Sequence, residues 1–444
     1  MSHKMYEILK TSFVAWILIL LASQSIAELE IEITRGVGKR APIAIVPFGW
    51  EGENLNAPLD VAGVIGADLQ RSGRFRVLPN EDMLQKPNTG VEVDFDDWRI
   101  LGIEVIVVGR VTQTGLNVYS IGYEVYDVFK QERLIAYRRP ASRGTLRRAA
   151  HRVADRIFEK LTGIQGIFAT RIAYVTVEHN ESSSLFKLMV SDEDGENERI
   201  YRESTDIIMS PAWSPDERRL AYVSFEENNE PIIFEQTLRT GNRIKLSRRK
   251  GVHNGAPAYS PDGRHLVLTL GSIDGNLDIY VMNLSNKEVK RLTTDRSIDT
   301  EGSWSPDGKQ IYFNSDRSGS AQIYRIDSSG GIPERITFEG RQNQRPRLSP
   351  DGKKLAMITL DRENYGIGVL DLNNGNFSIL PTGNQDSESP SFSPNSDKLI
   401  YATRQGQNEV LETVSVDGSD YKIIFVGGAR VNVREPVWGP FSRL

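Results

Sequence analysis

The sequence predicts an α/β N-terminal domain with a mixed sheet, followed by an all-β six-bladed β-propeller closed by the C-terminal strand. Three observations carry this. First, a Ser-Pro-Asp turn recurs at Ser214, Ser260, Ser305 and Ser349, with Ser393-Pro394-Asn395 and a degenerate Trp438-Gly439-Pro440 continuing the series at steps of 44 to 46 residues. Second, an aromatic or large apolar residue precedes each turn (Trp213, Tyr259, Trp304, Leu348, Phe392), and each unit divides into four short runs rich in Ile, Tyr, Phe and Val. Four-stranded units of about 45 residues are what propeller blades require. Third, the two ends complement each other. The run 171–177 (RIAYVTV) has no turn before it, and the run 434–438 has only six residues after it. Joining them completes a sixth blade and removes two exposed sheet edges.

In chain order, residues 1–27 read as a secretory leader. Lys4 and Lys10 make its basic start, residues 13–22 (FVAWILILLA) its apolar core, and Ser25-Ile26-Ala27 a small-residue cleavage site after Ala27. Ten apolar residues reach about 15 Å as a helix, half of what a bilayer core needs. Residues 28–163 are expected to form an arm and the α/β domain. Within it, 41–48, 75–78, 105–111, 118–128 and 133–137 read as strands, and 59–70, 96–101 and 145–161 as helices. Residues 163–166 (GIQG) make a candidate hinge, and 167–444 the propeller.

Composition bounds the function. The 444 residues carry a net charge of −5, which opposes a nucleic-acid partner. Cleavage of a leader holding two Lys and one Glu leaves −6. The absence of cysteine excludes disulfides, thiol catalysis and a lipidated cleavage site. There is no Gly-x-Ser-x-Gly elbow and no phosphate-binding Gly-x-x-x-x-Gly-Lys motif. His151, His179, His253 and His265 show no metal-ligand spacing among themselves. Asp192-Glu193-Asp194-Gly195 lacks the ligand series of a calcium loop and reads as an acidic hairpin turn. No catalytic residue, metal ligand or cofactor is therefore assigned. Arg138, Arg139, Arg143, Arg147, Arg148, Arg152 and Arg156 read first as a solvated face, and second as a contact with the propeller or an acidic partner.

The segments just ahead of the inner strands differ from blade to blade: Met209-Ser210-Pro211, His253-Asn254-Gly255-Ala256-Pro257, Asp299-Thr300-Glu301, Asn343-Gln344-Arg345, Asp386-Ser387-Glu388 and Val433-Arg434-Glu435. They ring one mouth of the channel, where a propeller offers a composite binding surface. A hydrolase and a peptidoglycan-sugar binder remain as rival classes. The first lacks a nucleophile motif, and the second would want aromatic side chains at the mouth rather than before the turns.

The order of domains, the run Pro42 to Phe48, the stretch from His253 (HNGAPAYSPDG) and the stretch from Pro333 (PERITFEGRQNQ) resemble the TolB family, the periplasmic components of Tol–Pal envelope systems. The resemblance implies a non-enzymatic, monomeric periplasmic adaptor that supports outer-membrane integrity and constriction at division. It implies that Pal, the peptidoglycan-associated lipoprotein, is bound at the propeller mouth by His253, Asn254, Ala256, Thr300, Glu301, Asn343 and Gln344. It also implies that the arm Glu28, Leu29, Glu30, Ile31, Glu32, Ile33 and Thr34 meets the inner-membrane protein TolA. The alternation in that arm suits addition to a partner sheet. Arg345-Pro346 in the fourth blade and the basic Arg35-Gly36-Val37-Gly38-Lys39 after the arm depart from the family's pattern.

Overall fold

A computed structural model describes residues 40–179, 183–247, 253–272, 275–361, 363–382, 386–418, 421–426 and 430–441. The leader with its cleavage site and the arm residues Glu28 to Thr34 lie outside these. None of the described helices is long and apolar enough to cross a membrane.

The first domain is a six-stranded sheet with helices on both faces. Strands β1 (Ala41–Ile45), β2 (Gly49–Glu51), β3 (Phe75–Val77), β4 (Val105–Gly115), β5 (Val118–Asp127) and β6 (Glu132–Ser142) adopt the order β3-β1-β4-β5-β6, with β2 also on β4. β1 pairs in parallel with β3 and β4, whereas β4, β5 and β6 are antiparallel, so the sheet is mixed as expected. β1 is apolar throughout because both its sides are covered. Ile43 and Ile45 face α1 (Val61–Arg71) and α3 (Leu146–Thr162), while Ala44 and Val46 face Trp98 of α2 (Phe95–Ile100). Asp60 caps α1 by accepting the Gly63 N–H at 2.9 Å. Gly163, left-handed at φ 72°, ends α3.

Two details depart from the expectation. β6 runs on to Ser142, beyond Tyr137, where the expected strand 133–137 stops. As an edge strand it needs no amide from Pro140 on its open side. The 163–166 segment is fastened rather than free. A Cβ on Gly166 would lie 2.4 Å from the Asp155 backbone, and Asp155 accepts the Phe168 and Ala169 amides at 2.7 and 3.2 Å.

The propeller has six four-stranded blades. Their inner strands are Ile208–Trp213, Asn254–Tyr259, Asp299–Trp304, Gln342–Leu348, Glu388–Phe392 and Val431–Trp438. The last pairs antiparallel with β7 (Arg171–His179), ahead of β8 (Ser184–Asp192) and β9 (Arg199–Ser204), and so closes the ring. One apolar cluster lies between each neighbouring pair of blades. Successive residues of a second strand therefore serve different clusters. Leu220 and Tyr222 face the closing blade, whereas Ala221 and Val223 face the next one. The Trp before a turn stitches its blade to the previous inner strand: Trp304 Nε1 donates to the Ala258 carbonyl at 3.1 Å, and Trp213 Nε1 to the Val437 carbonyl at 3.1 Å across the closure.

The repeated turn has a local cause. Ser305 Oγ donates to Asp307 at 2.6 Å and accepts the Gln310 amide at 2.9 Å, and Asp307 accepts the Lys309 amide at 3.1 Å. The fourth turn residue is left-handed, with Gly308 at φ 71°.

Candidate functional site: the channel mouth and the domain seam

Every inner strand carries a β-bulge at the same place. The residue at each bulge is left-handed, and none is glycine: Ser210, Ala256, Glu301, Arg345, Ser389 and Glu435 have φ between 46° and 58°. A bulge adds a residue and re-aims its side chain. Six of them converge on the channel axis. Arg345 reaches Glu301 at 3.6 Å, Glu435 at 3.3 Å and the Ser389 hydroxyl. Arg347 meets Glu301 at 3.7 Å, and the Ser210 amide donates to Glu435. Burial works against the Arg345 charge, but Glu301, Glu435 and Glu388 more than offset it and raise its pKa. Burial lowers that of Arg347 despite Glu301. The cavity left among these residues is about 30 Å³. That is room for about one water, where small-molecule sites run to hundreds of cubic ångströms.

Around this plug, His253 is exposed, and its imidazole lies over Gly255, where a Cβ would come within 2.5 Å of Nε2. Desolvation by the surrounding rim holds the His253 pKa below its ordinary value, with Glu301 acting the other way. Thr300 and Gln344 are half-buried, Thr300 accepting Asn314 Nδ2 at 3.0 Å and Gln344 donating to Gln342 at 3.3 Å. Ala256 and Glu301 line the cavity itself.

Asn254 and Asn343 sit elsewhere. Both are fully buried, two residues before a bulge. Asn254 Oδ1 accepts the Ser247 hydroxyl at 3.0 Å, and Asn343 Nδ2 donates to Gln322 at 2.9 Å and to the Glu339 carbonyl at 2.7 Å. Asp299 fills the same position in the blade between and takes both Nη2 contacts of Arg317, at 3.0 and 2.8 Å. These polar groups pin the strand starts from beneath. Nothing in the sequence separates them from rim residues, because a one-residue step along a strand reverses the side chain's face.

The opposite, turn-bearing end of the propeller holds the first domain. Arg148 grips both Glu217 oxygens at 2.7 Å, and Arg171 reaches the same carboxylate at 2.7 Å. Arg147 pairs with Asp194 and lies 3.7 Å from Asp192. Arg71 bonds Asp68 at 2.5 Å and Glu193 at 3.1 Å. Asn395 Nδ2 donates to the Gln165 carbonyl at 2.9 Å. The solvated-face reading of the arginines therefore gives way to the propeller contact for Arg147 and Arg148, and the acidic hairpin 192–195 is their counterpart. Glu217 had a signal in the sequence. It stands at φ 61° where the turn of other blades has Gly263, Gly308 or Gly352.

His151 is fully buried in this seam. Its Nδ1 lies 2.7 Å from Asp68, and its Nε2 lies 3.8 and 3.9 Å from Asp192 and Asp194. Desolvation opposes its charge, but the hydrogen bond and charge of Asp68, with Asp194 and Asp192, raise its pKa overall. Sequence spacing does not foresee this group, because its members come from α1, α3 and a propeller hairpin.

An α/β domain seated on the turn-bearing end of a six-bladed propeller, whose other mouth is filled by ion pairs, defines a two-domain propeller protein in which the described part of that mouth offers a rim rather than a pocket. Family models described as the TolB beta propeller domain and the TolB amino-terminal domain match residues 158–442 and 29–134. The chain belongs to the TolB family. Curated relatives include the Tol-Pal system protein TolB of Alcanivorax borkumensis, 44% identical over 251 residues (56% of each chain), and that of Xanthomonas oryzae pv. oryzae, 43% identical over 228 residues (51% of this chain, 52% of the relative). The matched stretch thus spans about half the length of these relatives. The crystal structure of TolB from Acinetobacter baumannii is 40% identical, with a TM-score of 0.81 over 91% of this chain and 98% of that one.

Proposed function

We propose that this chain is a non-enzymatic periplasmic adaptor of a Tol–Pal envelope system, exported by a leader cut after Ala27 and working as a monomer. It binds Pal over the propeller rim and meets TolA through the arm Glu28 to Thr34, supporting outer-membrane integrity and constriction at cell division. The observation that carries this reading is the filled mouth. A channel plugged by Arg345, Arg347, Glu301 and Glu435 leaves no room for a substrate at the mouth, yet its rim presents unlike side chains from six blades at the end opposite the described part of the first domain. Such a surface suits a folded partner.

Within the rim, His253, Ala256, Thr300, Glu301 and Gln344 make the contact, and the buried Asn254 and Asn343 hold it in shape. Pal binding should therefore weaken at least tenfold in His253→Ala with the melting temperature unchanged, whereas Asn343→Ala should lower the melting temperature first. Removing residues 28–34 should abolish TolA binding and spare Pal binding. Loss of both, or of neither, in the folded variant overturns the arm assignment.

A further inference from the structure

We propose that the domain seam is a binding site for a divalent first-row cation such as Zn2+, held by His151 Nε2 and the carboxylates of Asp192 and Asp194 and clasping α3 to the propeller. His151 and Asp194 belong, with Asp68, to a cluster whose ligand-type atoms lie within 4.8 Å of one another, and Asp192 Oδ2 stands beside it, 3.8 Å from Nε2. Asp68 is the orienting partner. By accepting Nδ1–H at 2.7 Å it fixes the tautomer and turns Nε2 toward the hairpin, the carboxylate–histidine arrangement that supports bound metals.

Nε2 is then a buried nitrogen with no hydrogen-bond partner, facing carboxylate oxygens at 3.8 and 3.9 Å. That is too long for a hydrogen bond. Two ligand bonds of about 2.0–2.2 Å at a tetrahedral angle span about 3.4 Å, so a bound ion would draw each oxygen in by about half an ångström. The carboxylate oxygens have other partners that remain compatible: Asn197 donates to Asp192 Oδ2 at 2.6 Å, and Arg147 donates to Asp194 Oδ2. Each oxygen keeps a second lone pair.

The charges agree. The ion-pair network around His151 contains Asp68, Asp192, Glu193 and Asp194 against Arg71 and Arg147. With a neutral imidazole it is short by two positive charges, which one divalent ion supplies. A proton on Nε2 competes for the same place but brings half the charge. One imidazole with carboxylates suits zinc better than calcium or magnesium. The seam joins helices α1 and α3 to the 192–195 hairpin, so the ion would tie the domains together, whichever partner the rim binds.

The test is a titration of the chelator-stripped full mature chain with ZnCl2, followed by calorimetry and by long-range 1H–15N spectra of the imidazoles. One equivalent should bind, the melting temperature should rise by a few degrees at saturating Zn2+, and the Nε2 resonance of one buried histidine should move. His151→Gln should lose the site, and His265→Gln should keep it. Asp194→Asn should weaken binding at least tenfold. An unchanged wild-type melting curve and imidazole spectrum, or an isotherm that survives His151→Gln in a folded variant, overturns the proposal. A His151 imidazole protonated on both nitrogens in the presence of Zn2+ does so as well, and would make the seam a purely ionic contact.

Discussion

At the scale of single residues, the exceptions to local rules mark the contacts that matter. Glu217 takes a left-handed conformation that costs a non-glycine residue about 1 kcal/mol or more, and its carboxylate holds Arg148 and Arg171 at 2.7 Å. Glu217→Gly should relieve the turn and yet loosen the seam, leaving two guanidinium groups without their shared partner. Limited proteolysis between residues 163 and 170 should then be faster than in wild type; equal rates contradict the role given to Glu217. Gly255 matters for a different reason, since a Cβ there would meet the His253 ring. Gly255→Ala should displace the His253 ring and weaken Pal binding without altering the melting temperature. Asp155 adds a pH dependence. Burial pushes its carboxyl up to about 7, against the Phe168 and Ala169 amides that favour its charge. The folded state therefore keeps a proton that the unfolded chain releases near pH 4. Its contribution to stability falls as pH rises from about 4 to about 7, and is constant above that. Urea unfolding at pH 5 and pH 8 should show wild type losing more stability than Asp155→Asn over that interval. Parallel losses contradict the assignment.

At the scale of elements, legibility follows from how local the cause is. The Ser-Pro-Asp-Gly turns are read directly because their hydrogen bonds close within six residues, from Ser305 to Gln310. The blades follow from their spacing, and the sixth follows from the unmatched ends. The extension of β6 through Pro140 and the short β2 were not legible, since each depends on a partner strand distant in sequence. The six bulges left no mark either, because their left-handed residues are Ser, Ala, Glu and Arg rather than Gly. Closure gives the sharpest prediction at this scale. Trp438 is 5% exposed and donates from Nε1 to Thr170 at 2.9 Å. Trp438→Ala should cost about 3–5 kcal/mol, and deleting the last ten residues should unfold or aggregate the propeller. A truncated chain that melts like wild type contradicts the ring.

At the scale of the whole molecule, the two ends of the propeller divide the work. The turn end is committed to the first domain through arginines from α1, α3 and the loop before β3 (Arg74, 3.6 Å from Asp397) and acids from three blades' turns and hairpins. The bulge end carries the ion-pair plug and the rim residues. The sequence pointed to that face through His253 and Glu301, but it did not show that Asn254 and Asn343 lie beneath it or that Arg345 plugs its centre. The domain seam was invisible in one dimension, since Asp68, His151 and Asp194 come from separate elements. The measurement that tests the central claim most directly is calorimetry of the mature chain with the Pal of the same organism, alongside His253→Ala and Glu301→Ala. The rim reading predicts wild-type binding that both folded variants weaken by about 2 kcal/mol or more. Absence of binding by folded wild-type protein, or binding that both substitutions leave intact, would contradict it.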